Sequence, residues 1–189
     1  MKKRPLCGID EAGRGPLAGS LVIAGVILKK PVEGLMDSKK LTEKRREALY
    51  PLVLENAAYH IVTFSARDVD EKGISKCLQE GLQSIQKHLP DAEYLFDGNS
   101  TFGVDNIATM VKADSKIEEV SAASILAKVT HDREMIEMAR KYPEYGFEKH
   151  KGYGTKAHIE ALLQYDRCEV HRRTFRVKDL DEPLPCFRT

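Results

Sequence analysis

The apolar positions fall into short runs between polar and glycine-rich stretches, and their spacing predicts alternating strands and helices. Residues 6–10 form a short apolar run, and residues 20–28 a longer one that is rich in Val and Ile and carries no charge. A run of that length and composition predicts a strand buried on both faces. Only a glycine-rich segment separates the two, so an antiparallel pair is the economical arrangement. Thr42 is placed to cap a helix beginning at Glu43, which Pro51 should break or kink. Residues 59–65 alternate well enough for a third strand. Ile74, Leu78, Leu82, Ile85 and Leu89 then recur at helical spacing, predicting an amphipathic helix that stops at Pro90 and is weakened by Gly73 and Gly81. Two short strands follow, 94–98 and 107–114, and then a long helix from Glu118 to about Tyr142, ended by Pro143. Its early Ser121, Ala122, Ala123 and Ser124 are small enough to let it lie close on a sheet.

Three of these strands end in acid: Asp10 with Glu11, Asp97, and Asp114. Laid side by side and parallel, they would gather the four carboxylates at one edge. Carboxylates so gathered repel and raise one another's pKa, so the cluster makes sense mainly with divalent cations present. Each aspartate taken singly is a turn residue at a strand end, but three coincident strand ends favour the metal site. Neighbouring strand residues face opposite ways, so Asp10 and Glu11 can share a ligand only if the strand ends or bulges there. Gly13, Arg14 and Gly15 follow at once. They can make a loop whose backbone approaches a ligand closely and which carries a guanidinium, or merely a tight turn beside a solvated acidic pair. Asp132 shares the apolar stripe of the long helix with Ile125, Val129, Ile136 and Ala139, and is expected to be structural, paired with Lys128 or another base. In 150–158, Tyr153 lies between Gly152 and Gly154 among basic residues. The segment reads either as a turn capped by Thr155 before a helix containing Leu162 and Leu163, or as a ring presented for stacking on a sugar or base.

Composition narrows the class without naming it. With 189 residues, 42% hydrophobic and 31% charged, the chain suits one soluble domain with a real core. The uncharged run 17–28 is too short to span a bilayer, and Asp10 and Glu11 interrupt any signal-like pattern after the basic start, so a cytoplasmic location is expected. Four cysteines without paired spacing, Cys7, Cys77, Cys168 and Cys186, predict reduced, mostly buried thiols. A net charge of +1 does not announce a nucleic-acid binder. Basic residues nevertheless bunch at Lys39, Lys40, Lys44, Arg45 and Arg46, at Lys149, Lys151 and Lys156, and at Arg172, Arg173, Arg176 and Lys178, which favours a polyanionic partner.

Taken in order, Gly8-Ile9-Asp10-Glu11-Ala12-Gly13-Arg14-Gly15-Pro16-Leu17-Ala18-Gly19, Asp37-Ser38-Lys39-Lys40-Leu41, Asp97-Gly98, Lys112-Ala113-Asp114, Ser121-Ala122-Ala123-Ser124-Ile125-Leu126-Ala127-Lys128 and His150-Lys151-Gly152-Tyr153-Gly154-Thr155 closely resemble bacterial ribonuclease HII. Ser20 stands where that family usually has proline, and Ala113 where glycine usually precedes the last acid. The resemblance implies a ribonuclease H-like α/β fold: a five-stranded mixed sheet with helices on both sides, in one catalytic domain over 1–189 whose region from about 143 is a helical C-terminal extension. It implies cleavage of RNA in RNA–DNA hybrids and 5′ to single ribonucleotides embedded in duplex DNA. Asp10, Glu11, Asp97 and Asp114 would hold two Mg²⁺ or Mn²⁺ ions, and cleavage would leave 3′-hydroxyl and 5′-phosphate ends. Gly13, Arg14 and Gly15 resemble the reader of the ribose 2′-hydroxyl, Tyr153 the aromatic that stacks on the next deoxyribose, and Ser38, Lys39 and Lys40 a backbone-phosphate contact.

Two other readings stay open on residues alone. A junction resolvase of the same broad fold would share the acids but would have no need of a 2′-hydroxyl reader. A noncatalytic binding module would keep the basic clusters without the acids. A monomer without membrane association is expected, and no protein partner is evident, residues 184–189 showing no clamp-binding pattern.

Overall fold

In the computed structural model, which describes residues 4–35 and 41–181, β1 (Leu6–Ala12) and β2 (Leu21–Leu28) pair antiparallel, Gly8 opposite Val26 and Ala12 opposite Val22. β3 (Ala57–Phe64) pairs antiparallel with the other side of β2. β4 (Glu93–Asp97) runs parallel to β1, and β5 (Ile107–Met110) runs parallel to β4. The result is one five-stranded mixed sheet in the order β3-β2-β1-β4-β5. Since β1 and β4 are parallel neighbours, Asp10, Glu11 and Asp97 emerge at the same edge.

β2 is apolar throughout because both its faces are covered. Leu21 and Ile23 join a core built with α2 (Ala66–Lys72) and α3 (Ile74–His88). Val22, Ala24 and Val26 join a second core with α1 (Glu43–Asn56) and α4 (Glu118–Lys141) on the opposite face. Cys77, Leu78, Leu82 and Ile85 are the buried stripe of α3, and full burial of such an aliphatic side chain contributes about 1.5–3 kcal/mol. The small residues near the start of α4 let it lie directly on β1: a Cβ on Gly8 would stand 2.2 Å from the Glu119 carbonyl carbon.

Two local features of the helices are explained only by where they sit and how they are capped. Pro51 does not end α1, which runs on to Asn56. The proline lies on the exposed side, where water can serve the carbonyl it deprives of a partner, while Leu49 and Val53 hold the other side in the core. α2 has no apolar periodicity to announce it. It is started by a reciprocal cap in which the Ser65 side chain accepts from the Asp68 amide and the Asp68 carboxylate accepts from the Ser65 amide.

Beyond a 3₁₀ turn at Pro143–Tyr145 come α5 (Phe147–His150), α6 (Lys156–Tyr165) and α7 (Lys178–Asp181). They gather on a third core of Ala18, Met135, Phe147, Ala161 and Leu162, and His171 bridges to Ala18. Among the described residues no helix is long and apolar enough to cross a membrane, and Cys7, Cys77 and Cys168 are free thiols. Cys186 and the segment 184–189 lie outside the described residues, as do Asp37, Ser38, Lys39 and Lys40.

Candidate active site

β1 runs past Asp10 to Ala12 without a bulge, against the expectation that it ends at the acid. Its pairing with β4 stops at Ile9 opposite Phe96, so its last residues border β2 on one side and a cleft on the other. Asp10 and Glu11 therefore both line that cleft despite their opposite strand parity. Asp114 is not at a strand end either. β5 stops at Met110, Lys112 turns the chain in the left-handed region at φ 59°, and Asp114 sits fully buried in a 3₁₀ turn, Ala113–Ser115. Asp97 organises that turn, accepting the Lys112 amide on Oδ1 at 2.9 Å and the Asp114 amide on Oδ2 at 3.3 Å.

One carboxylate oxygen from each of Asp10, Asp97 and Asp114 lies within 4.8 Å of the others. Glu11 stands beside this trio, its Oε1 3.7 Å from Arg14 Nη1. Burial pushes the Asp10 carboxyl well above the usual range, and the charges of Glu11 and Asp97 push the same way, against hydrogen bonds from the Glu11 amide and the Ser124 hydroxyl. Three converging carboxylates, all hard oxygen donors, fit Mg²⁺ or Mn²⁺ and not a soft thiophilic metal.

The cleft, about 390 Å³, sets Asp10, Glu11 and Asp97 against Arg46, Ser124, Lys128 and Tyr153, with Asp114 buried behind them. Ser124, Lys128 and Asp132 follow one another at i, i+4 on α4, a spacing readable in the sequence as one face. Asp132 is nearly buried, holding Lys128 Nζ at 2.8 Å and His131 Nδ1 at 3.3 Å, with Arg46 Nη2 at 4.0 Å. Burial raises its carboxyl pKa, but hydrogen bonds from His131 and Lys128 outweigh that and leave it below the usual value.

The 13–15 loop is held from behind. Gly13 has φ 83°, and a Cβ there would stand 2.2 Å from the Ser20 carbonyl oxygen and 2.6 Å from His131 Cδ2. Arg172, expected within a surface basic cluster suited to a polyanion, is instead fully buried. Its Nε donates to the Gly19 carbonyl at 3.1 Å, Nη1 to that of Arg14 at 3.2 Å, and Nη2 to those of Ser20 at 3.0 Å and Gly13. Lys151 is also mostly buried, 12% exposed, and donates to the Glu148 carbonyl, whereas Lys149 and Lys156 are exposed.

Tyr153 is brought onto this loop. The Leu17 amide donates to the Gly152 carbonyl at 2.8 Å, and a Cβ on Gly15 would lie an ordinary 3.8 Å from Tyr153 Cε1. The ring is 42% exposed, with Lys128 Nζ 5.7 Å from its centroid. Three buried histidines, His131, His158 and His171, surround these loops and carry no periodicity or motif that singles them out in the sequence.

The model of the family described as Ribonuclease HII matches residues 7–178. A ribonuclease HII from Sulfurovum sp. (strain NBC37-1) is 81% identical over 180 residues, covering 95% of this chain and 96% of that protein. Another, from Aliarcobacter butzleri (strain RM4018), is 54% identical over 179 residues, covering 94% of this chain and 93% of that one. Among solved structures, the PCNA:RNase HII complex from Archaeoglobus fulgidus contains a chain that superposes with a TM-score of 0.80 at 28% identity, over 92% of this chain and 96% of its own length. Similarity that keeps 81% of the residues over nearly the whole length, on a sheet of the ribonuclease H-like type, means that this chain belongs to the ribonuclease HII family and is a nuclease with ribonuclease H activity.

Proposed function

We propose that this enzyme cuts the RNA strand of RNA–DNA hybrids and also the bond 5′ to a single ribonucleotide embedded in duplex DNA, leaving 3′-hydroxyl and 5′-phosphate ends. The observation that carries this reading is adjacency: Asp10, Glu11 and Asp97 of the carboxylate cluster line one cleft with Tyr153, and the pinned 13–15 loop lies against the Tyr153 ring. Asp10, Glu11, Asp97 and Asp114 would hold two Mg²⁺ or Mn²⁺ ions. Bound there, divalent cations supply activation of water and charge stabilisation at the phosphodiester.

The chain's own groups do the positioning. With the Gly13 and Arg14 carbonyls aimed at Arg172, the amides of Arg14 and Gly15, trans to them, point the opposite way. Such outward amides suit a ribose 2′-hydroxyl, which both donates and accepts. Arg46 and Lys128 on the far wall suit phosphates, as do Ser38, Lys39 and Lys40 by resemblance. The deciding experiment compares three duplexes in Mg²⁺ or Mn²⁺: all-DNA, RNA–DNA hybrid, and DNA with one ribonucleotide. Cleavage of the last two alone supports the reading, whereas equal cleavage of all-DNA would mean a resolvase-like nuclease.

Tyr153→Ala should slow cleavage at a single ribonucleotide by about tenfold or more, since stacking is worth roughly 1–3 kcal/mol and about 1.4 kcal/mol is a decade in rate. Tyr153→Phe should keep most activity. Because the ring is half exposed, thermal melting should change little, and a variant that melts early yet cleaves normally would make Tyr153 a packing residue. The loop glycines should separate in the same assays. Gly13→Ala meets backbone at 2.2 Å with φ 83° and should destabilise the fold. Gly15→Ala, with room for its methyl, should melt like wild type but cleave more slowly, and unchanged cleavage would remove Gly15 from the substrate surface.

A further inference from the structure

Behind Tyr153 stands a pair of buried histidines that the chemistry above leaves unused. His158, in the first turn of α6, places Nδ1 3.0 Å from the Tyr153 carbonyl oxygen and Nε2 3.0 Å from His171 Nε2. His171 Nδ1 in turn lies 3.0 Å from the Cys168 amide nitrogen and 3.1 Å from the Cys168 thiol. These partners dictate where the protons sit. A carbonyl can only accept, so His158 Nδ1 carries a proton; a backbone amide can only donate, so His171 Nδ1 is bare. The remaining proton belongs to His171 Nε2 and is donated to His158 Nε2. Both rings are then neutral and both nitrogens of each are satisfied.

A further proton on His158 Nε2 would oppose the His171 Nε2–H, and one on His171 Nδ1 would oppose the Cys168 amide. The surroundings keep the pair neutral: burial above all, with the nearby His150 acting the same way, holds both imidazoles down at about 4. His150 stacks on His158 with ring centroids 4.4 Å apart, and Tyr145 and Phe147 pack on His171. Arg167 adds a charge that disfavours an imidazolium at His171.

The pair connects the segment after the 13–15 loop to the Tyr153 loop. His171 bridges Ala18, the Gly19 amide donates to the Val170 carbonyl at 2.9 Å, and the Arg172 amide donates to the Leu17 carbonyl at 2.8 Å. The segment that follows the 13–15 loop is thus tied through His171 and His158 to the Tyr153 carbonyl, which also accepts the Thr155 amide. We propose that His158, backed by His171, is a positioning residue that fixes Tyr153 over the 13–15 loop for cleavage at a ribonucleotide. This rests on the reading of Tyr153 as a substrate contact.

The test is a double-mutant cycle on duplex DNA with one ribonucleotide, using His158→Leu, Tyr153→Ala and the double variant, with thermal melting of each. His158→Leu should lower kcat/KM by about tenfold, the scale of one buried hydrogen bond lost. In the Tyr153→Ala background the same change should cost nothing more, because His158 acts through Tyr153. His158→Asn, whose amide nitrogen can stand in for Nδ1, should restore most activity. Effects of His158→Leu and Tyr153→Ala that multiply would overturn the proposal and leave the reading of Tyr153 intact. Wild-type cleavage by Tyr153→Ala would overturn both. Should His158→Leu not fold, His158→Asn is compared with His158→Gln, which can reach only toward His171, and equal losses in the two would overturn the proposal.

Discussion

Asp10→Asn is expected to abolish cleavage, at least about 10³-fold, while the metal-free protein becomes no less stable. Charge stabilisation at the phosphodiester is worth several kcal/mol, and each ~1.4 kcal/mol is a decade in rate. Asparagine keeps the Oδ1 acceptor for the Glu11 amide, and the Ser124 hydroxyl, which can donate or accept, can turn to meet the new amide group. The substitution removes a buried charge that Glu11 and Asp97 oppose. Linkage gives the sign. The folded-state pKa of Asp10 lies above its ordinary 3.8, so the native state holds more protons than the unfolded state between the two values. Metal-free wild type should therefore lose stability as pH rises through that window, and Asp10→Asn should lose less. Melting in chelator from about pH 4 to about pH 8 reads this directly.

Added Mn²⁺ should raise the melting temperature of wild type more than that of the variant, since ligand binding stabilises in proportion to RT ln(1 + [L]/Kd). Wild-type turnover by Asp10→Asn would remove Asp10 from the metal site. Asp97→Asn should be equally inactive but less stable. Its amide nitrogen would face the Lys112 or the Asp114 amide, both of which Asp97 now accepts, at a cost of about 1–3 kcal/mol.

Arg172→Ala should be the most destabilising change outside the hydrophobic cores. One guanidinium serves the carbonyls of Gly13, Arg14, Gly19 and Ser20, and truncation leaves them without that donor in a buried place. At about 1–3 kcal/mol for each stranded group, offset by relief from burying a charge, a net loss on the order of 3–5 kcal/mol is expected. For a chain of this size that lowers the melting temperature by roughly 10 °C. Burial has already pushed the Arg172 pKa down to about 10, yet it remains charged at neutral pH. Arg172→Lys should fall between, because a single ammonium cannot reach four carbonyls in a plane. Cleavage should drop in both variants at temperatures where they are folded, as the 13–15 loop loses its brace. Melting of Arg172→Ala within a degree or two of wild type would show that the four carbonyls find other donors.

Much of this architecture is local in origin. The apolar run of β2, the i, i+4 stripe of α3, the Thr42 and Thr155 caps and the small residues opening α4 each follow from chemistry within a few neighbouring positions. The same holds for the family resemblance, carried by short motifs in order, and for the acids Asp10 and Glu11 late in β1 and Asp97 at the end of β4. Local pattern also fails in instructive places. Asp114 looked like the end of a strand, but the Asp97 carboxylate, from a neighbouring strand, captures the amides of Lys112 and Asp114 and bends the chain into a turn. Arg172 sat among basic residues suited to solvent, yet its partners lie up to 159 positions away, and only the folded chain brings those carbonyls to it. The paired imidazoles of His158 and His171 are hidden for the same reason. Whether a polar group is solvated or buried depends on distant atoms that satisfy its hydrogen bonds, and residue spacing along the chain carries no record of them.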